Sequence, residues 1–172
     1  MNNNKDVYKL AEDFLSKYSL TVAWRISQHA KVMEKHLNPD EEIFYLFVAQ
    51  KNPNPFDIFS SCIIALTNKR IMIAQKRVVF GYNLKSITPD LFNDFSIYKG
   101  IIFGKVYIDT VKEFIALSNI DPKALPEIET NLSEYLLRIK EKFGKNKDYN
   151  EAEETTLSYS FDQEEEKPYK DE

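Results

Sequence analysis

Cysteine is almost absent from this chain, which has one, Cys62, among its 172 residues. A single thiol forms no intramolecular disulfide, so the fold cannot depend on the cross-links that stabilise many small secreted domains. Cys62 lies inside an apolar run, where we expect a buried, unreactive thiol rather than a nucleophile. The cysteine content therefore favours a cytoplasmic location.

Glycine and histidine are also scarce, with four and two residues. Four glycines leave no glycine-rich phosphate loop, and Gly-x-Ser-x-Gly and His-Glu-x-x-His motifs are missing. His29 and His36 are seven residues apart, too far for the usual spacing of paired metal ligands, and we expect both at the surface or its boundary. Acidic pairs such as Glu41 and Glu42 have no catalytic group converging on them. These absences predict a protein that is not an enzyme and that uses no metal or cofactor.

Long apolar runs are missing as well, since the chain has no stretch of about 18 consecutive apolar residues. The first residues lack the basic start and the apolar middle of a secretion signal. The sequence therefore predicts neither export nor a membrane span.

Charge is distributed unevenly along the chain. Residues 144–172 hold four Lys and ten Asp or Glu, whereas residues 1–143 hold nineteen basic and seventeen acidic residues. The acidic tail has few aliphatic residues to offset the entropy of ordering it, so we expect it to be disordered. A nearly neutral body releases few counterions from a polyanion and carries no recognised motif, so nucleic-acid binding is not expected.

Two apolar stripes with a helical period open the chain. The first consists of Val7, Leu10, Ala11, Phe14, Leu15 and Tyr18, and the second of Val22, Ala23, Ile26, Ala30, Met33 and Leu37. Residues three and four apart share a helix face, so both segments are predicted to be amphipathic helices. Thr21 is the expected N-cap of the second helix, Trp24 a packing anchor on it, and Pro39 its end. The apolar faces must pack on the domain that follows or against another chain.

After Glu42 the hydrophobic period becomes that of short β-strands. Seven runs rich in Ile, Val, Phe and Tyr follow one another at residues 43–50, 59–66, 70–75, 78–85, 91–98, 101–109 and 113–119. Short turns join them, so consecutive strands must be mainly antiparallel. Thr67-Asn68-Lys69-Arg70 is the clearest corner, and Gly104 is expected to mark a bulge or a sharp bend.

A last apolar stripe predicts a C-terminal helix that ends at Gly144. Its members are Leu125, Ile128, Leu132, Tyr135, Leu136, Ile139 and Phe143. The pattern indicates an α+β fold, mainly antiparallel β, in which a seven-stranded sandwich or barrel is capped by a C-terminal helix and preceded by two N-terminal helices. The predicted boundaries are 1–39 for the helical extension, 40–143 for the domain and 144–172 for the tail.

Several of these segments resemble a known family. They are Glu41-Glu42-Ile43, the corner Leu66-Thr67-Asn68-Lys69-Arg70-Ile71, the Tyr82 to Thr88 stretch, the Gly100 to Asp109 strand and the closing helix. Together they resemble a bacterial pleckstrin-homology-like (PH-like) domain of the YokE-like kind over residues 40–143. The resemblance implies a PH-like fold and a binding module, but it names no ligand, because this fold hosts many unrelated ones.

Two sets of residues are candidates for a ligand site. The basic set is Lys69, Arg70, Lys76, Arg77 and Lys85, and the aromatic set is Phe56, Phe59, Phe92, Phe95 and Tyr98. Eukaryotic relatives that bind phosphoinositides gather Lys and Arg in the first hairpin loop, whereas here Lys51 to Asp57 has one Lys, one Asp and two prolines, which makes a poor phosphate cradle. The aromatic residues exceed what one small core needs, so either the N-terminal helices cover that surface, which we favour, or some of these residues line a groove for peptide docking.

The favoured hypothesis is a cytoplasmic, non-catalytic module for protein–protein interaction, self-association included, with Phe56 and Phe92 in the groove. The second hypothesis is a peripheral binder of anionic membrane surfaces that uses the Lys69/Arg70 and Lys76/Arg77 turns. Binding in an apolar groove is insensitive to salt, whereas binding to anionic lipid weakens as salt screens it.

Overall fold

The structure is a computed structural model that describes residues 6–52, 54, 58–138 and 141. Within these residues, two helices, α1 (Val7–Lys17) and α2 (Ile26–Glu34), precede seven strands. The strands are β1 (Ile43–Gln50), β2 (Ser61–Thr67), β3 (Ile71–Lys76), β4 (Tyr82–Ile87), β5 (Phe92–Lys99), β6 (Gly104–Thr110) and β7 (Phe114–Ile120). A third helix, α3, spans residues 125–138. The fold class predicted from the sequence is therefore confirmed.

The chain divides into two compact units, Met1–Tyr135 and Leu136–Glu172. The first contains α1, α2, all the strands named above and the start of α3. Of the second, the structure describes residues 136–138, which are helical, and residue 141. The predicted helix end at Gly144, the acidic tail and Phe56 lie outside the described residues.

The strands are hydrogen-bonded in the order β4-β3-β2-β1-β7-β6-β5, and neighbours are antiparallel. In the described chain β1 and β7 meet at a single registered pair, Gln50 with Ser118. The longer ladders lie on either side of this pair. The sheet therefore consists of a first half-sheet, β1–β4, and a second half-sheet, β5–β7.

The β2–β3 corner is a tight hairpin, as the Thr67 to Arg70 pattern predicted. The backbone N–H of Thr67 donates to the Arg70 carbonyl at 3.0 Å. The Thr67 hydroxyl accepts the backbone N–H groups of Lys69 at 3.2 Å and of Arg70 at 3.0 Å. The Thr67 hydroxyl thus serves as acceptor for backbone N–H groups of the turn that do not pair with a neighbouring strand.

The N-terminal helices pack on the first half-sheet. α2 contacts β2, β3 and β4, whereas α1 contacts β1 and α2. Every residue of β2 and the first four residues of β3 are buried. Because successive side chains of a strand point to opposite faces, both faces of this half-sheet are covered at β2 and at the start of β3. In β5, by contrast, Phe92 alone is buried.

The second helix begins later than its hydrophobic pattern predicted. Its N-cap is Arg25, in a left-handed conformation with φ 53°, rather than Thr21. The Thr21 hydroxyl instead accepts the backbone N–H of Asp121 at 3.0 Å, and the N–H of Val22 donates to the Asn119 carbonyl at 3.0 Å. The segment ahead of α2 is thus held by the end of β7, and these long-range bonds prevail over its helical pattern. Trp24 lies in this segment, not on the helix.

Two predicted strands also begin later than expected. Residues 78–80 form the turn between β3 and β4, because β4 begins at Tyr82. Residues 101–102 are exposed in the loop before β6, which begins at Gly104. In both places apolar residues lie in a loop instead of a strand.

Gly104 lies where β6 meets the start of α3. The register between β6 and β7 shifts between Gly104 and Val106, so the predicted irregularity is confirmed. A Cβ at position 104 would lie 2.7 Å from the Leu125 side chain. Glycine therefore allows the start of α3 to approach the strand backbone closely.

Candidate functional site

The Lys69/Arg70 turn belongs to an ion-pair network. Arg70 donates from Nε and Nη2 to the Glu41 carboxylate at 2.9 Å each, and Lys69 pairs with Asp40 at 2.6 Å. Burial would raise the pKa of Glu41, but hydrogen bonds from Arg70, the Asn38 backbone and the Thr67 hydroxyl hold it below its usual value. Each cation of this turn already has a carboxylate partner, so we place no ligand here.

The described members of the aromatic set lie in different parts of the fold. Phe92 is in the core, with its ring 6.1 Å from that of Tyr135. Phe95 is half-buried, Tyr98 is exposed on the same strand, and Phe59 lies against Trp24. α1 and α2 cover β1–β4, so they are not the cover of this aromatic set that the sequence suggested. Phe92 is therefore buried in the core, whereas Phe56 lies outside the described residues, so a groove that includes Phe56 stays a prediction.

An exposed apolar turn joins β3 and β4. Its three residues, Val78, Val79 and Phe80, have exposed fractions of 53%, 75% and 84%. We call them the hairpin apex. Single exposed apolar side chains are ordinary on protein surfaces, but three consecutive ones in a turn make this turn a candidate binding site.

The backbone of the hairpin holds this apex away from the strands. Lys76 and Tyr82 form the last registered pair, and the N–H of Arg77 donates to the Gly81 carbonyl at 3.2 Å. Gly81 has φ +76°, a conformation that glycine adopts without strain. The strand pair therefore closes directly beneath the three apolar residues.

Residues ahead of α2 lie against the same hairpin. Arg25 donates from Nη1 to the carbonyls of Arg77 at 3.4 Å and of Val78 at 3.3 Å. Its guanidinium lies 5.0 Å from the centre of the Trp24 ring, and Trp24 meets Phe59 edge to face at 5.2 Å. Phe59 is 56% exposed. We call Trp24, Arg25, Phe59 and residues 76–80 together the apex surface.

His29 fixes the stem of this hairpin from α2. It is fully buried, and its Nδ1 accepts the backbone N–H of Lys76 at 2.7 Å. Burial lowers the pKa of His29 to about 4, helped by the charge of Arg25 and opposed by a hydrogen bond with the Trp24 backbone. The ring is therefore neutral at pH 7, as its acceptor role requires. The predicted surface or boundary position of His29 is wrong, because α2 places this side against β3.

Basic residues accompany the apolar ones, and acidic residues do not. The chain segments that contain and flank the apex surface are residues 22–25, 58–61 and 75–83. They include Arg25, Lys76 and Arg77 but neither Asp nor Glu. Arg77 is exposed and Lys76 half-buried. Of the five residues in the basic set, Lys76 and Arg77 thus lie at the apex surface, and Lys69 and Arg70 lie at the opposite end of β3. Lys85 lies on β4 and pairs with Glu113.

A family model described as a bacterial PH domain matches residues 37–134, which is more than half of the chain. The chain belongs to the bacterial PH domain family. No curated protein matches it. The solved structure of a pleckstrin homology domain from Shewanella amazonensis SB2B is similar to it, with 13% identity, 66% of this chain and 89% of that chain covered, and a TM-score of 0.42.

The apex surface of this bacterial PH domain combines segments from inside and outside the family match. The β3–β4 hairpin lies within residues 37–134, whereas Trp24, Arg25 and His29 precede them. PH-like domains commonly serve as binding modules, and family membership supports that general role here. Sequence reasoning missed the hairpin apex because Val78 to Phe80 have strand-like composition. The available signal was Gly81, which marks the end of a turn rather than the middle of a strand.

Other kinds of site are not seen in the described parts of the chain. There, no group of three or more His, Cys, Asp or Glu is placed to hold a metal ion. Nor is any helix among those residues long and apolar enough to cross a bilayer. Cys62 is buried, as predicted, and burial raises the pKa of its thiol to about 12.

Proposed function

We propose that this bacterial PH domain is a non-catalytic, cytoplasmic module that binds anionic membrane surfaces peripherally through its apex surface. The observation that carries the proposal is the hairpin apex, in which three exposed apolar residues follow directly after Lys76 and Arg77. Apolar side chains with cations behind them suit the boundary between acyl chains and anionic headgroups.

The shape of the apex favours lipid over a protein partner. A turn of three side chains is small and convex, whereas a stable protein–protein interface buries about 800 Å² on each partner. Apolar groups at a bilayer interface are buried to a depth of about 5–10 Å, which side chains at a hairpin turn can reach. We therefore expect the hairpin to enter the membrane interface while the body of the domain stays outside.

The energies suit reversible binding. Full burial of a Val or Phe side chain contributes about 1.5–3 kcal/mol, and each basic residue near an anionic leaflet about 1 kcal/mol. Arg77 is exposed, and Arg25 lies beside it, so both are available for this attraction. Because part of the attraction is electrostatic, salt should weaken it.

Flotation with vesicles tests the proposal. The full chain is mixed with phosphatidylcholine vesicles, with and without phosphatidylserine, at low and physiological salt. We expect binding to phosphatidylserine vesicles only, weaker at the higher salt, and a loss of at least about tenfold in the Val79→Asp/Phe80→Asp variant. The matched control, Ile101→Asp/Ile102→Asp, adds the same charge to the exposed β5–β6 loop and should bind as the wild type does. Absence of wild-type flotation, or equal losses in the two variants, would contradict the proposal.

A protein partner is the second candidate, and the second half-sheet favours it. Tyr107 and Phe114 stack at 5.3 Å between ring centres, and Phe114 is 62% exposed. Tyr98, on the neighbouring strand, is 59% exposed. Exposed aromatic groups on a sheet face are enriched at protein interfaces. If the wild type floats with neither kind of vesicle, this face becomes the leading site for the protein–protein interaction, self-association included, that the sequence favoured.

A further inference from the structure

Two side chains of the N-terminal segment bind three consecutive residues of the β3–β4 hairpin. His29 accepts the backbone N–H of Lys76 at 2.7 Å, and Arg25 donates to the carbonyls of Arg77 and Val78 at 3.4 and 3.3 Å. These contacts begin at the last residue of β3 and end at the first residue of the hairpin apex. Both side chains precede the region that matches the family.

We propose that Arg25 is a positioning residue that holds the hairpin apex in its binding conformation, with His29 anchoring the stem below it. The identity of the ligand, an anionic membrane, rests on the proposed function, whereas the restraint on the hairpin does not depend on it. Arg25 acts through the backbone of residues 77 and 78, so its role differs from that of a cation that only attracts lipid headgroups.

The backbone of Arg25 supports this role. A non-glycine residue in the left-handed region is strained and persists only where its surroundings fix it. Here the side chain donates from Nε to Gln28, lies over the Trp24 ring and reaches two hairpin carbonyls. These contacts oppose the strain, and the two carbonyl bonds among them exist only while the hairpin keeps its position.

An exposed apolar apex benefits from such a restraint. Apolar side chains in water gain by folding back onto the body of the domain, and a mobile turn loses conformational entropy when it binds. A turn that is already ordered binds without that loss. The restraint should therefore raise affinity even though it adds no contact with the ligand.

The Arg25→Lys variant distinguishes the effect of restraining the hairpin from the effect of the positive charge. Arginine presents several donors in one rigid plane that stacks on an aromatic ring, whereas lysine keeps the positive charge but has a flexible point donor. Arg25→Lys should therefore lose the two carbonyl bonds and keep most of the attraction to anionic lipid. For the hydrogen-exchange measurement, Arg77→Lys is the matched control, since it makes the same change next to the apex and leaves the bonded backbone carbonyl in place.

Amide hydrogen exchange resolved by NMR tests the restraint without any lipid. The reporting amides are those of Lys76, which donates to His29, and Arg77, which donates to Gly81. In Arg25→Lys we expect both to exchange roughly tenfold faster, as the loss of two hydrogen bonds implies. Amides of β2 and α1 should keep wild-type rates, which shows that the domain stays folded. Arg77→Lys should match the wild type throughout.

Vesicle binding then tests what the restraint does. With phosphatidylserine vesicles, Arg25→Lys should bind roughly threefold to tenfold more weakly than the wild type. Arg138→Lys makes the same change at an exposed position on α3, outside the apex surface, and should bind as the wild type does. Wild-type exchange rates in Arg25→Lys would overturn the restraint, whatever the lipid result. Faster exchange with undiminished binding would overturn its role in binding. If the wild type itself fails to float, the proposed function fails, and the exchange rates still decide whether Arg25 holds the hairpin.

Discussion

His29 shows that burial, more than residue type, decides what a histidine does in this domain. Its ring lies between α2 and β3, where it accepts one backbone N–H and has no contact with solvent. Spacing in the sequence argued against a metal pair with His36, but it could not reveal the depth of a side chain. That depth depends on how α2 docks on the sheet.

The buried ring predicts a pH-dependent stability. The pKa of His29 is about 4 in the folded protein and 6.5 ordinarily. When the pH falls below 6.5, His29 therefore takes up a proton in the unfolded chain before it does so in the folded protein. The contribution of His29 to the free energy of unfolding is complete above pH 6.5 and is lost between pH 6.5 and about pH 4. The loss should reach about 3 kcal/mol, measured by urea denaturation at stepwise pH.

The His29→Asn variant is the control for this prediction. Asparagine offers an acceptor oxygen to Lys76 but does not titrate, so the decline between pH 6.5 and 4 should become much shallower. Protonation of carboxylates such as Glu41 destabilises both proteins at lower pH, so this effect cancels when the two are compared. An identical pH dependence for the two proteins would show that His29 is not the group responsible.

Arg70 shows the limit of reasoning from residue type. Its position after a Thr-Asn-Lys turn correctly predicted a corner, and its charge suggested an anion site. The structure pairs it with Glu41, whose side chain has no exposed surface and lies 29 residues earlier in the chain. A local sequence pattern does not reveal a partner that is distant in the chain. Arg77 lies in an equally basic turn but stays exposed.

At the scale of elements, α2 forms a layer of the core. Ala30 and Met33 on this helix are fully buried, and Lys31 between them is exposed. The Met33→Ala variant should lower the free energy of unfolding by about 2–5 kcal/mol through lost burial and the cavity left behind. Lys31→Ala, the control on the same helix, should change it by less than about 0.5 kcal/mol. Chemical denaturation of both measures the difference, and equal stabilities would mean that α2 is not part of the core.

The elements were predicted more accurately than their ends. Period and turn residues are local signals, and they were enough to find two helices, seven strands and the closing helix in order. Val78 to Phe80 and Ile101 to Ile102 were assigned to strands because exposed and buried β-branched residues look alike in a sequence. Only the tertiary structure shows that these residues protrude, which is why the sequence missed the hairpin apex.

At the scale of the whole molecule, the two half-sheets differ in how they are covered. The first half-sheet is covered on both faces at β2 and at the start of β3. α1 and α2 pack against it, which is one of the two arrangements that their apolar stripes predicted. The second half-sheet has exposed aromatic residues on β5 and β7. The N-terminal helices thus serve two purposes, because the segment that covers the first half-sheet also brings Trp24 and Arg25 to the hairpin.

We propose that the hairpin apex, rather than the exposed β5–β6 loop, is the part of this domain that meets the membrane. Cys62 is fully buried, so an environment-sensitive fluorophore can be attached selectively to Phe80→Cys or, as the comparison, to Ile102→Cys. With phosphatidylserine vesicles, the emission of the probe at position 80 should shift to the blue, as in an apolar medium, while the probe at position 102 should report water. A blue shift at position 102 alone, or no shift at position 80, would contradict membrane contact by the hairpin apex.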